Sequence, residues 1–319
     1  MSSQGCNPSW MPEFSEAEIA ACAAKPGALL TMELELTRAC NLVCKYCYAS
    51  SGQPLNGELD YAELTDAVRQ AKDLGARRII ILGGGEPLLY PQLRGLIMHI
   101  HNLGLKVDIF TNGTILNRDW AEFFYLQHVS VNVKFNSAKP EVQDYLAGRK
   151  GTHTAIAQAL DSLHQAGYPD AEHRLGIETV ICKQNQDELP DIWRWAREHR
   201  YVPYVEMLTP QGRLQDHQEL AIAPEAAREV FEKIRLLDEK EFGHVWTSMP
   251  PLVGENCRRH TYSCLVDSLG NVSPCPGVDI KAGNIRERTL KEILTTGEAF
   301  VKLRGIRENI EGECRTCEH

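Results

Sequence analysis

Nowhere does the sequence hold an apolar run near the ~20 residues needed to span a bilayer. Its opening residues, with Glu13, Glu16 and Glu18, lack the basic start and apolar core of a secretory signal. Basic residues are in the minority: 34 Lys and Arg against 43 Asp and Glu give a net charge of −9. That balance is poor for gripping long nucleic acid through its phosphates. The 11 histidines are scattered without metal-ligand spacing, and there is no internal repeat or low-complexity tract. These absences point to a cytoplasmic enzyme or binding protein with neither a membrane nor a nucleic-acid partner. With 319 residues, 43% hydrophobic and 24% charged, the chain suits one large α/β domain with an appendage.

What is present is an alternation of strand and helix patterns. Residues 1–31 read as an irregular segment with one short helix from Ser15 to Ala24. Residues 32–36 read as a strand. Tyr61, Leu64, Val68, Ala71 and Leu74 then recur at helical spacing up to Gly75. The run RIIIL at 78–82 predicts a buried strand, and the pattern continues with strands at 106–110, 128–135, 174–181 and 203–208. Helices are expected at about 91–103, 117–126, 152–166, 187–199 and 223–238. Six strands with intervening helices imply a parallel sheet with right-handed crossovers, either a partial (β/α) barrel or a doubly wound open sheet. Both place chemistry at the C-terminal ends of the strands. The expected division is a barrel unit over 32–238, a linker over 239–256 and a cysteine-rich unit over 257–319 with a hairpin near Gly270 and a helix near 289–303.

The cysteines stand out: there are 11, and in a reducing compartment clustered cysteines serve metal or chemistry more often than disulfides. Cys40, Cys44 and Cys47 form C-x3-C-x2-C on the loop after the first strand. Three thiolates on one loop can grip three corners of a cubane iron–sulfur cluster, leaving the fourth iron open to a ligand. A structural zinc would call for a fourth Cys or His nearby, and the next histidine is His99.

The segment TRACNLVCKYCY resembles the radical S-adenosylmethionine (radical SAM) superfamily. The resemblance implies that Cys40, Cys44 and Cys47 hold a [4Fe-4S] cluster whose open iron chelates SAM, and that Tyr46 packs near the adenine. It also implies reductive cleavage of SAM to methionine and a 5′-deoxyadenosyl radical. Gly83-Gly84-Gly85-Glu86-Pro87 follows the second strand, where the family has its GGEP motif. Glycines let a backbone approach a ligand closely, and Glu86 offers a carboxylate to an ammonium; Gly84, Gly85, Glu86 and Pro87 are thus implied in SAM binding. Thr111-Asn112-Gly113 ends the third strand and matches a SAM-contacting segment. Lys134 ends the fourth strand where relatives often have Ser, and a cation there could hold the SAM carboxylate. Asn185 and the pair Gly212-Arg213 also stand where relatives have similar residues.

The C-terminal pattern is Cys257, Cys264 and Cys275, then Cys314-x2-Cys317. Cys257-x12-Gly270-x4-Cys275 is similar to the opening of the SPASM extension of peptide- and protein-modifying members, which holds auxiliary [4Fe-4S] clusters. The sequence stops two residues after Cys317, so the expectation is either a truncated SPASM extension or a shorter Twitch-like one holding one cluster. A zinc ribbon is the alternative. Cys6, Cys22 and Cys182 lie outside both groups, and Cys182 reads as a small buried residue.

The fold expected is thus α/β: a partial (β/α)6 TIM-type barrel with a small C-terminal cysteine-rich auxiliary-cluster domain. The function implied is abstraction of hydrogen from a peptide or protein substrate, as in peptide or metalloenzyme maturation. The implied cofactors are SAM, its [4Fe-4S] cluster and one or two auxiliary clusters. The implied partners are a flavodoxin- or ferredoxin-type electron donor and a separate leader-recognition protein. The alternatives are a small-molecule cofactor pathway of molybdopterin or haem type, and a non-enzymatic iron–sulfur or zinc scaffold.

Overall fold

The computed structural model describes residues 14–246 and 258–306, with residues 310, 312 and 315. After helix α1 (Glu16–Ala23) the chain alternates: β1 (Thr31–Glu35), α2 (Tyr61–Asp73), β2 (Arg78–Leu82), α3 (Leu93–Asn102), β3 (Lys106–Thr111), α4 (Arg118–Leu126) and β4 (Ser130–Lys134). Two helices follow, α5 (Pro140–Ala147) and α6 (Thr152–Ala166), then β5 (Leu175–Val180), α7 (Leu189–Glu198), β6 (Val202–Glu206) and α8 (Pro224–Phe242). The described C-terminal part holds β7 (Ser263–Val266), β8 (Asn271–Ser273), β9 (Gly283–Asn284), α9 (Leu290–Thr296) and α10 (Glu298–Arg304).

The strand order is β6-β5-β4-β3-β2-β1-β7-β8-β9. From β1 to β6 the strands pair in sequence and all in parallel. With no reversal of order there is no topological switch, so right-handed crossovers put every helix on one face. The other face becomes the lumen of a partial barrel, left open because β6 and β1 do not pair. This settles the choice between barrel and doubly wound sheet.

Strand parity divides the side chains cleanly. Met32, Leu34, Ile79, Ile81, Val107, Ile109, Val131, Val133, Leu175 and Ile177 point outward and build the main core with Leu64, Val68, Leu96, Ile97, Phe124 and Leu163 of the helices. The alternate positions face the lumen. Ile80 and Phe110, packed by Leu82, Val202 and Tyr204, form a small apolar patch there, flanked by charged groups such as Glu33, Glu35, Asp108 and Glu178, all buried.

The helix α2 begins where Asp60 and Glu63 close a capping box. The helix α5 was not expected. The single helix expected near 289–303 is two, α9 and α10, divided at Gly297. The hairpin expected near Gly270 is β7–β8, and β7 also lies parallel against β1, extending the barrel sheet beyond its first strand. No described helix is long and apolar enough to cross a membrane.

Candidate active site

The loop after β1 carries Cys40, Cys44 and Cys47, and its own backbone fixes its path. Cys40 N–H donates to Gly52 O at 3.0 Å and Gly52 N–H to Arg38 O at 2.9 Å, closing the loop at its base. Glu58 accepts from Arg38 N (2.6 Å), Leu55 N (2.9 Å) and Thr37 Oγ1 (2.8 Å). On the outer side Lys45 N–H donates to Leu146 O at 3.0 Å, at the end of α5. Tyr48 Oη donates to Glu35 Oε1 in the lumen at 2.7 Å.

Glycine brings a second loop against this one. Gly85 N–H donates to Thr37 O at 2.7 Å and Glu86 N–H to Ala39 O at 2.8 Å. A Cβ on Gly85 would run into the Ala39 carbonyl, so only glycine permits the approach. Glu86, 1% exposed, then turns its carboxylate to the end of β3. It accepts from Thr111 Oγ1 at 2.6 Å, Asn112 N at 2.8 Å and Leu88 N at 3.2 Å. A carboxylate has about four acceptor positions, so three of them are used within the chain. Burial pushes this carboxyl up to about 7, against the pull of Thr111, Asn112 and Leu88. Asn112 Nδ2 reaches Asn41 Oδ1 at 2.9 Å and lies 4.0 Å from Cys40 Sγ. Pro87, buried, opens a short 3-10 turn behind Glu86. Three sequence segments, at 40–47, 83–87 and 111–112, therefore meet at the C-terminal ends of β1, β2 and β3.

The other half of the lumen is charged. Lys134 Nζ pairs with Glu178 Oε1 at 2.6 Å and lies 3.8 Å from Glu206 Oε2, with the Tyr46 ring 5.8 Å away. Tyr204 Oη donates to Glu206 Oε1 at 3.0 Å. Burial works against the Lys134 charge, but Glu178 and Glu206 carry its pKa above the ordinary lysine value. Burial, and then Glu206, push the Glu178 carboxyl above the ordinary carboxylate range although Lys134 pulls it down. Glu178 and Glu206 were missed by sequence reasoning. Their signal was an acid inside the apolar run LGIETV and another at the end of the next strand. Tyr46 Oη accepts from Asn136 Nδ2 at 2.7 Å. Asn185, fully buried, donates to Asn136 O at 2.7 Å and Val180 O at 2.9 Å, so it ties the β4 and β5 ends together.

Among the described residues no group of three or more His, Cys, Asp or Glu side chains stands ready to close a metal site. The chemistry of the donor set nevertheless fits an iron–sulfur cluster. Burial pushes the Cys44 thiol up to about 12, and the neighbouring Cys47 and Cys40 sulfurs push it further the same way. Burial likewise raises Cys40. Thiolates crowded together call for cationic iron to hold them ionised.

Of the C-terminal cysteines, Cys257, Cys314 and Cys317 lie outside the described residues, as does the chain end on which the truncation reading rested. Cys264 is fully buried on β7 within the main core, and burial alone pushes its thiol up to about 12. Cys275 is half-buried in the turn after β8. Cys182 is fully buried beside Leu146, Val180, Leu214 and Leu220.

Comparison with known proteins agrees with this geometry. The family model described as the Radical SAM superfamily matches residues 34–196, and one described as an iron-sulfur cluster-binding domain, SPASM, matches 257–318. The AdoMet-dependent heme synthase of Methanosarcina barkeri is 30% identical over 89% of this chain and 87% of its own. The mycofactocin maturase MftC of Mycolicibacterium smegmatis is 29% identical over 92% of this chain and 76% of its own. Streptococcus suis SuiB bound to the precursor peptide SuiA shares the fold, with a TM-score of 0.73 at 17% identity over 94% of this chain and 72% of that one.

Proposed function

The chain belongs to the radical SAM superfamily and is an enzyme of its SPASM subgroup, and from that premise we propose that it matures a peptide or protein by abstracting hydrogen from it. The cofactors are SAM, the [4Fe-4S] cluster that binds it and auxiliary iron–sulfur clusters. When bound, the SAM cluster supplies the electron that cleaves SAM to methionine and a 5′-deoxyadenosyl radical.

In this reading Cys40, Cys44 and Cys47 hold that cluster. Gly84 and Gly85 present backbone to the methionyl end of SAM. Glu86 keeps Thr111 and Asn112 in place with three acceptor positions and has one left for the SAM ammonium. Tyr46 supplies an apolar ring, and Lys134, 5.8 Å from that ring, is the cation for the SAM carboxylate. Ile80 and Phe110, both buried, give the lumen an apolar wall. Cys257 and Cys275, with Cys314 and Cys317, are the auxiliary-cluster candidates, and the core position of Cys264 speaks against its joining them. The reading also places the enzyme in the cytoplasm with a flavodoxin- or ferredoxin-type donor and a separate leader-recognition protein.

The observation that carries the SAM site is the convergence of the Cys40–Cys47 loop, Glu86 and Asn112 through hydrogen bonds of 2.7–2.8 Å from Gly85 N to Thr37, Glu86 N to Ala39 and Asn112 N to Glu86. Peptide maturation rests on the SPASM domain and the maturase among the relatives. The similarity to a heme synthase at 30% identity favours a second reading, a tetrapyrrole side chain as substrate. Deuterium transfer separates them. The reconstituted enzyme, given deuterated peptide encoded beside its gene, should place deuterium in 5′-deoxyadenosine. Deuterium arriving only from a labelled tetrapyrrole would overturn the peptide reading in favour of the second.

A further inference from the structure

The segment after β6 does more than leave the barrel. Gly212 adopts a left-handed φ of +56°, and a Cβ there would run into the carbonyls of Cys47 and Tyr48. Glycine thus lets this backbone lie directly on the cysteine loop. Arg213 N–H donates to Cys47 O at 3.0 Å. Its guanidinium donates through Nη1 to Cys44 O at 3.2 Å and through Nη2 to Ser51 O. The next residue, Leu214, is buried with Leu146, Val180, Cys182 and Leu220, and Tyr46 packs on the same cluster. Arg213 therefore stands on a fixed base and reaches across the arc 44–51 to three of its carbonyls.

We propose that Arg213 is a positioning residue for the cluster loop: it spans the Cys44–Ser51 arc and sets a permanent cation on that loop's main-chain carbonyls. Only a planar fork can reach two carbonyls at once; a lysine offers a point charge and cannot span them. A positive charge near an iron–sulfur cluster favours its reduced, more negative state. The inference rests on the reading that Cys40, Cys44 and Cys47 carry the SAM cluster.

Two variants and two readouts test it. The first readout is amide hydrogen exchange in the cluster-free protein. Lys45, Cys47 and Gly52 N–H groups, all bonded within or onto the loop, should exchange about tenfold faster in both Arg213→Gln and Arg213→Lys, while amides of β2 to β5 keep wild-type rates. The second is the midpoint potential of the cluster on the first loop after reconstitution. It should move to more negative values in Arg213→Gln and stay near wild type in Arg213→Lys, a split that lost packing alone would not produce. Unchanged exchange in both variants overturns the clamp. A midpoint in Arg213→Gln equal to wild type overturns the electrostatic part. Should Arg213→Gln not fold, unchanged exchange in Arg213→Lys is sufficient to overturn the clamp. Failure of the underlying reading is seen separately: a Cys40/Cys44/Cys47 triple Ala variant would keep the same SAM-responsive cluster, while the cluster-free exchange experiment would still report on Arg213.

Discussion

Replacing Glu86 by Gln probes the join between the second and third strand ends. In the wild type Oε1 accepts from Thr111 and Leu88, and Oε2 accepts from Asn112 N–H. A glutamine keeps more bonds by putting its carbonyl where Oε1 stands. Its NH2 then faces the Asn112 N–H, donor against donor. One charge-assisted bond of 2.8 Å is lost and a buried donor is left unpaired, a cost of about 1–3 kcal/mol. Asn112 is released from its place near Cys40, so SAM affinity should fall roughly tenfold or more, while iron content stays that of wild type. The loss in stability should depend on pH. The carboxyl has a folded pKa of about 7, above its unfolded value, so the wild type loses stability as pH rises through about 7 while the glutamine, which does not titrate, loses none. The difference should therefore be larger near pH 5.5 than at pH 8. Chemical unfolding of the cluster-free proteins at the two pH values, with SAM titration of the reconstituted ones, makes the test. A variant as stable as wild type at pH 5.5, with unchanged SAM affinity, would refute the reasoning.

Other outcomes follow from the same geometry. Gly85→Ala should abolish SAM binding, read by titration, because its Cβ meets the Ala39 carbonyl. Lys134→Gln leaves Glu178 buried without its partner and should destabilise the fold by about 3–5 kcal/mol at pH 8; a variant as stable as wild type in chemical unfolding would count against the ion pair. Glu35 and Glu86 have folded pKa values raised to about 7, and Glu178 is raised as well, each with burial as the leading cause. Between pH ~4.5 and 7 the folded state therefore holds more protons than the unfolded one, so stability should fall as pH rises through this window. Each group contributes up to ~1.4 kcal/mol per pH unit, and a melting temperature of the cluster-free protein that rises from pH 5.5 to 7.5 would contradict this.

The barrel was legible in the sequence because its strands are short apolar runs closed by glycines and caps, as in RIIIL between Gly75 and Gly83. The helix α5 escaped because it is only eight residues long, although Pro140 in its first turn is a helix-start signal. The parallel seat of β7 on β1 was not readable from a four-residue strand whose partner lies over 200 positions earlier: Thr31 aligns with Ser263. In the site, Cys40, Cys44, Cys47 and Glu86 stood out by spacing. Glu178 and Glu206 did not, because an acid in a strand gains meaning only when parity places it in the lumen beside Lys134. Spacing alone also gave no sign that Cys264 would lie fully buried in the main core. Glu86 was read as facing an ammonium, and only the folded chain reveals how much of its carboxylate is held by Thr111, Asn112 and Leu88.

The most direct test of the central claim is 5′-deoxyadenosine formation from SAM by the anaerobically reconstituted protein with dithionite, compared with a variant in which Cys40, Cys44 and Cys47 are all Ala. The wild type should form it, and the variant should form none while still folding, as judged by far-UV circular dichroism. Undiminished 5′-deoxyadenosine in the triple variant, or none from a wild-type protein carrying its full iron, would contradict the account.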